Sequence, residues 1–424
     1  MANPLPLDSR AVQARKSPRP SELLYDAVAT GMWIYTRAAF RTIVLGERDL
    51  RMRAGVLVVA THRSDADVPL ICSTLFFADR MWRRHHLRLH FAARDDLFQR
   101  GVLAGLAPGL PLRVRRLLFA LDPAPFLPLV RVNPIRGTTT VKVAQVLATF
   151  APTAALDAAL PDSEASRFRT EARELGVESP VTVGEAFRPE FAGLLWRDLA
   201  QSELDGPAYR DLWQARAQGA AADLRRLIAL VRAGEPLLLF PEGRPSADGT
   251  IGPLRRGLDL LVRRGKPKLL LPLAIAYDPL TAGRTLAYLS VGEPFAPPSM
   301  SIDSVILEAL RRTMPLTCAQ VVSHSLLQAV ERGVETVTAG ALEADVAGAA
   351  ARAKAERRAC DPRLAAVAPR RRRLSECLAA LVALGLVRTS DGRGLVLDRR
   401  RLATDPHVRR AAREYASARE GLGE

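Results

Sequence analysis

His62 and Asp67 stand five residues apart in the stretch Val56–Leu70, VLVVATHRSDADVPL, directly after a run of apolar strand-forming residues. An imidazole with a carboxylate fixed beside it is a general base with an orienting partner. Asp65 offers a second carboxylate at the same turn. A second apolar run, Leu237–Phe240 in PLLLFPEG, ends in Glu242, Gly243, Arg244 and Ser246. A third, in LVRVNPIRG (Leu129–Gly137), ends in Arg136. Ligands of open α/β sheets gather at the carboxyl ends of the strands. One base, several carboxylates and several guanidiniums there suit proton removal from a hydroxyl on a phosphorylated molecule. A metal centre does not fit. His86 and His90 are four apart, but no acid or cysteine completes a ligand set beside them. The four cysteines, Cys72, Cys318, Cys360 and Cys377, form no CxxC pair and point to a reducing compartment.

The paired elbows resemble those of the glycerol-phosphate and lysophosphatidate acyltransferase family. Its first motif is His, four residues, Asp, which His62 to Asp67 fit. Its third is FPEGTRS in one-letter form. Phe240-Pro241-Glu242-Gly243-Arg244-Pro245-Ser246 matches it, with Arg244-Pro245 where the family has Thr-Arg. The fourth, a proline inside an apolar strand, matches Pro272 in LLLPLAI. The second, an arginine after a short strand, falls on Arg136, with Arg131 as the alternative. The resemblance covers about 24–150 and 220–295. It implies that His62 takes the proton of an acceptor hydroxyl, which attacks a thioester carbonyl directly, so no cysteine or serine nucleophile is needed. It makes Asp67 the orienting acid and gives Arg136 and Arg244 the acceptor phosphate. Glu242, Gly243 and Ser246 shape the acceptor pocket. No bound cofactor is implied; acyl-CoA or acyl carrier protein would be a co-substrate. The implied acceptor is lysophosphatidate, with glycerol 3-phosphate as the alternative.

Positioning these groups takes an α/β fold, a sheet flanked by helices. Lys268–Tyr277 and Leu286–Phe295 read as further buried strands, and LRLHFAA, within the basic stretch Trp82–Arg100, as another. Helices are expected over Ser21–Leu45, Ala66–Ala78, Thr139–Phe150, Ala208–Arg232 and Pro253–Arg264. Residues 1–20, rich in Pro and Arg, read as a disordered tail. The acyltransferase-like domain is expected over 21–298. It is interrupted at 151–222 by a helical insertion that includes helices Ser163–Leu175 and Gly184–Ser202. Residues 299–424 read as a mainly helical C-terminal domain with helices Ser301–Arg312, Thr317–Gly333 and Val334–Arg358. There the helix of SECLAALVALGLV leads into a hairpin turned on Asp391-Gly392, as in the wing half of a winged helix.

The net charge of +16 implies an anionic partner. No run of about 18 apolar residues is present, so no spanning helix is expected. Helix 21–45 carries Trp33, Tyr35 and Phe40, and 101–132 interleaves apolar residues with Arg113, Arg115 and Arg116. Each suits either core packing or an anionic membrane surface. The N-terminus lacks a secretory signal. The expectation is a cytoplasmic protein, peripheral on the inner face of the cell membrane. Nucleic acid, through Arg370–Arg373 and the helix-hairpin, is the weaker alternative.

Overall fold

A computed structural model of the chain describes residues 20–46, 55–78, 88–105, 109–204, 206–246, 248–390 and 394–420. Residues 1–19 of the expected N-terminal tail, His85, His86 and the Asp391-Gly392 turn lie outside these, and Pro20 opens the first helix. Among the described residues, nine strands precede residue 300: β1 (Arg41–Gly46), β2 (Val56–Ala60), β3 (His90–Arg94), β4 (Val132–Ile135), β5 (Thr140–Lys142), β6 (Asp198–Ala200), β7 (Leu237–Leu239), β8 (Leu269–Asp278) and β9 (Leu286–Val291). Seven of them form one sheet in the order β1-β9-β8-β2-β7-β3-β4. From β8 to β4 all neighbours are parallel; β9 turns back against β8, and β1 runs parallel to β9.

The central strands are aliphatic on both faces because both faces are covered. Val56, Val58 and Ala60 of β2 pack with helices Pro20–Ala39 and Asp67–Ala78. Leu57 and Val59 point the other way, among Leu227 and Val231 of helix Pro207–Arg232, Leu258 and Leu261 of helix Gly257–Gly265, and Ile306 of helix Ile302–Thr313. Each such side chain contributes roughly 2 kcal/mol by leaving water. Pro272 sits inside β8 opposite Val59, and its ring faces Gly292, where a Cβ would come within 2.7 Å of it. It shapes the backbone.

Several local expectations are corrected. The helix expected over Ser21–Leu45 stops at Ala39, and Arg41–Gly46 becomes the edge strand β1, paired with β9. Gly46, at φ +88°, ends it where a Cβ would strike the Val291 carbonyl. Helix Thr139–Phe150 is instead β5 followed by helix Val143–Leu147. Gly184–Ser202 breaks into short turns and β6, which pairs with β5. The unit between β4 and helix Pro207–Arg232 therefore holds a small sheet as well as helices, around its own core of Val141, Leu147, Phe168 and Phe191. Residues 253–256 are irregular, and the helix there begins only at Gly257.

Beyond Thr313, helix Cys318–Glu331, β10 (Thr336–Thr338), helices Ala339–Ala355 and Val367–Ala383, β11 (Val387–Thr389) and β12 (Gly394–Leu397) follow in turn. Residues 336–338, expected as helix, thus form a strand. The three strands pair antiparallel in the order β10-β12-β11. Helix Pro406–Glu420 closes this second core with Val408, Ala411 and Tyr415. Of the arginine block only Arg373 turns into the interior, while Arg371 and Arg372 are exposed. Arg373 is buried 2.6 Å from Asp278, the last residue of β8; Arg371 pairs with Glu343, and Arg370 donates to the Leu364 carbonyl.

Candidate active site

The parallel strands place the expected residues in one row. Val58, Leu238, Phe91 and Val132 stand side by side across β2, β7, β3 and β4. His62, Glu242, Asp95 and Arg136 each follow four residues later, so all four stand at the carboxyl edge. Arg131 precedes β4, at the opposite edge, beside Glu235.

His62 leaves β2 with its ring stacked on Phe240, centroids 4.2 Å apart. Its Nδ1 lies 2.9 Å from Asp67 Oδ2. Asp67 opens helix Asp67–Ala78 and is fully buried. Its Oδ2 also accepts from the backbone N–H groups of Arg63 and of Ser64, the latter at 2.9 Å. Its Oδ1 accepts from the Tyr277 hydroxyl at 2.7 Å. Burial, and then the carboxylate beside it, push the Tyr277 phenol far above its ordinary range, so it stays a donor. A carboxylate receiving three other hydrogens acts as an acceptor, so Nδ1 carries the proton and Nε2 has its lone pair free for an incoming hydroxyl. Asp65, the competing acid, is exposed.

The two elbows are stitched together by backbone groups. Glu242, 5% exposed, accepts from His62 N–H at 2.9 Å and from Gly252 N–H at 3.0 Å. Ser246 N–H donates to the His62 carbonyl at 2.9 Å, and its hydroxyl donates to Asp248 and accepts from Gly249 N–H. Glu242 and Ser246 thus hold the backbone that carries the base. Gly243 sits at φ +74°, where a Cβ would press on the Arg255 side chain. Arg255 Nε donates to the Glu242 carbonyl at 3.3 Å. Arg244 is exposed.

Arg136 shares the edge but not the cluster. Its strand lies three places from β2, about 14 Å at ~4.8 Å per strand. Its Nε is 3.8 Å from Asp223, and with Thr149, Asp211 and Arg216 it lines a groove of about 420 Å³.

Tyr277, Arg63 and Arg255 complete the surroundings and were not singled out from sequence. Tyr277 reads there as a buried strand residue, 210 positions from its partner. Arg63 is 2% exposed and donates to the Thr250 carbonyl at 2.9 Å. Among the described residues no group of acids, histidines and cysteines could hold a metal ion.

No protein-family model matches the sequence, and no curated protein matches it. Among solved structures, the 1-acyl-sn-glycerophosphate (LPA) acyltransferase PlsC from Thermotoga maritima is similar in arrangement, at 15% identity and a TM-score of 0.34. The match covers 69% of this chain and 79% of that one.

Proposed function

We propose that this chain is a peripheral O-acyltransferase that moves an acyl group from a thioester, acyl-CoA or acyl carrier protein, to the free hydroxyl of a phosphorylated glycerolipid precursor. Lysophosphatidate is the favoured acceptor, and glycerol 3-phosphate the alternative. The observation that carries the proposal is the His62–Asp67–Tyr277 relay at the carboxyl edge of the sheet. In this reading His62 Nε2 takes the hydroxyl proton as the oxygen attacks the thioester carbonyl. Collapse of the tetrahedral adduct breaks the C–S bond, and the imidazolium returns the proton to the leaving sulfur. Asp67, held by two backbone N–H groups and the Tyr277 hydroxyl, orients His62 and faces the imidazolium as it forms. In this reading the acceptor phosphate is met by Arg244 and Arg255, the exposed arginines on the segment that follows Glu242, with Arg136 as an outer contact.

The membrane belongs to the same reading. Ile34 and Tyr35 on the first helix are exposed, as are Leu117 at 66% and Phe126 at 60%, with Arg113 and Arg116 interleaved. Apolar side chains rimmed by arginines suit an anionic lipid surface. No helix among the described residues is long and apolar enough to cross a membrane. Nucleic-acid binding through Arg370–Arg373 is the weaker reading: Arg373 is committed to Asp278 in the interior, Arg371 to Glu343 and Arg370 to the Leu364 carbonyl, which leaves Arg372 the most exposed of the four.

The test is transfer from a labelled acyl thioester to a panel of lysophosphatidate, glycerol 3-phosphate and neutral lysolipids. His62→Ala should lower the rate by about 10²–10⁴ with the fold intact. Undiminished transfer in that variant would sink the mechanism.

A further inference from the structure

The last helix, Pro406–Glu420, belongs by its apolar face to the C-terminal core, yet its polar face reaches both elbows of the site. Arg410 Nη2 donates to the carbonyl of Arg63 at 2.6 Å. That carbonyl and the N–H of Ser64 are the two ends of one rigid peptide unit, pointing in opposite directions. The N–H end donates to Asp67 Oδ2 at 2.9 Å. Arg410 therefore holds one end of the plank whose other end holds the orienting carboxylate. A charged donor on the carbonyl also polarises the peptide and strengthens its N–H as a donor.

Arg410 is itself fixed. Its Nε lies 3.4 Å from Glu414 Oε1, and Glu414 Oε2 accepts from Gln320 Nε2 of helix Cys318–Glu331 at 3.1 Å. Glu414 is 3% exposed. On the second elbow, Gly249 at φ +88° passes so close that a Cβ would lie 2.6 Å from Glu414 Cγ and 2.8 Å from the Arg410 carbonyl oxygen. Arg413 reaches within 3.6 Å of Asp248, which binds the Ser246 hydroxyl. One helix thus touches the loop that follows His62 and the loop that follows Glu242.

We infer that Arg410 is a positioning residue for the His62–Asp67 pair, and that the C-terminal domain is through it a working part of the site. The inference rests on the proposed acyl transfer for its kinetic readout, and on the imidazole–carboxylate geometry alone for its spectroscopic one.

The experiment uses the full chain with Arg410→Ala, Arg410→Lys and, as a charge-matched control, Arg409→Ala, whose side chain on the same helix is exposed. For each, kcat and KM for acyl transfer are measured, together with the proton resonance of His62 Nδ1–H in ¹⁵N-labelled protein. Arg410→Ala should lower kcat about tenfold, the scale of one lost charged hydrogen bond. It should leave the KM for the thioester near the unaltered value and shift the Nδ1–H resonance. Arg410→Lys keeps a cation beside Glu414, and so the fold, but loses the guanidinium fork that spans Glu414 and the Arg63 carbonyl. It should show both effects in smaller measure. Arg409→Ala should match the unaltered protein. An unshifted resonance in both Arg410 variants, or equal losses in Arg409→Ala and Arg410→Ala, would overturn the inference. If the unaltered protein transferred no acyl group, the proposed reaction would fall while the resonance still decided the role of Arg410.

Discussion

At the β2–β7 end of the carboxyl edge, the acids Asp67 and Glu242 are fed by backbone N–H groups and one phenol. At the β3–β4 end, Asp95 takes a two-pronged contact from Arg216, both bonds 3.1 Å, and Asp223 stands beside Arg136. Both ends hold acids at the same level of the same sheet. Neutral donors leave a carboxylate its charge, which can then stabilise an imidazolium. A guanidinium cancels that charge and ties two elements together instead. Arg216 and Asp223 both lie on helix Pro207–Arg232, so the second end is a joint between sheet and helix, while the first is the end to which the proposed function assigns the chemistry.

The sharpest way to break this comparison is Asp67→Asn. An amide can accept on one side only, so its NH2 would face a donor and His62 would lose its fixed tautomer. The rate should fall by about 10³–10⁴, as for a triad acid replaced by its amide. A loss under tenfold, measured as kcat, would mean the two ends do not differ in kind.

Asp95→Ala is the counterpart. It strands Arg216, which is 7% exposed, and should cost about 3 kcal/mol of stability in denaturant titration. The chemical step should change far less than in Asp67→Asn. A variant of ordinary stability with a thousandfold lower kcat would reverse the assignment of the two ends.

Tyr277→Phe removes one of several donors to Asp67 and keeps the ring that packs on Phe40. One hydrogen bond to a charged group predicts a five- to tenfold fall in kcat, about 1–1.5 kcal/mol. Unchanged kinetics would show that the backbone N–H groups alone hold the carboxylate.

The sequence exposed this contrast unevenly. β2, β7 and β8 are legible because uninterrupted aliphatics have no other home than a sheet covered on both faces. The turns that follow them carry His62 and Glu242, so half the site came with the strands. β1 was hidden because Phe40, Ile43 and Val44 continue the apolar spacing of the preceding helix, and only pairing with β9 makes them a strand. Gly184–Ser202 has helical periodicity, but Pro189 and the pairing of β6 with β5 override it. Partners far apart in the chain left no local mark, as with Tyr277 for Asp67 and Arg410 for Arg63. The arginine block divides in a way four consecutive letters do not show. Consecutive helical residues point around the axis, so Arg371 and Arg372 face solvent while Arg373 turns to Asp278 in the interior.

Arg136 is where the comparison can be sharpened by the smallest effect. The family resemblance makes it a phosphate ligand, while the geometry puts it about 14 Å along the edge from β2 and beside a buried acid. Burial raises the Asp223 carboxyl while Arg136 draws it back down, so the guanidinium already has a task. It is still 39% exposed and lines an open groove. A partly engaged, solvated cation adds little to binding. Arg136→Ala should therefore raise KM for phosphorylated acceptors by only about two- to fivefold, leave kcat unchanged and spare neutral acceptors. Equal losses for phosphorylated and neutral acceptors would take Arg136 out of phosphate binding and leave it wholly to the joint. A loss in kcat of a hundredfold or more would move the reacting centre toward β4 and join the two ends into one site.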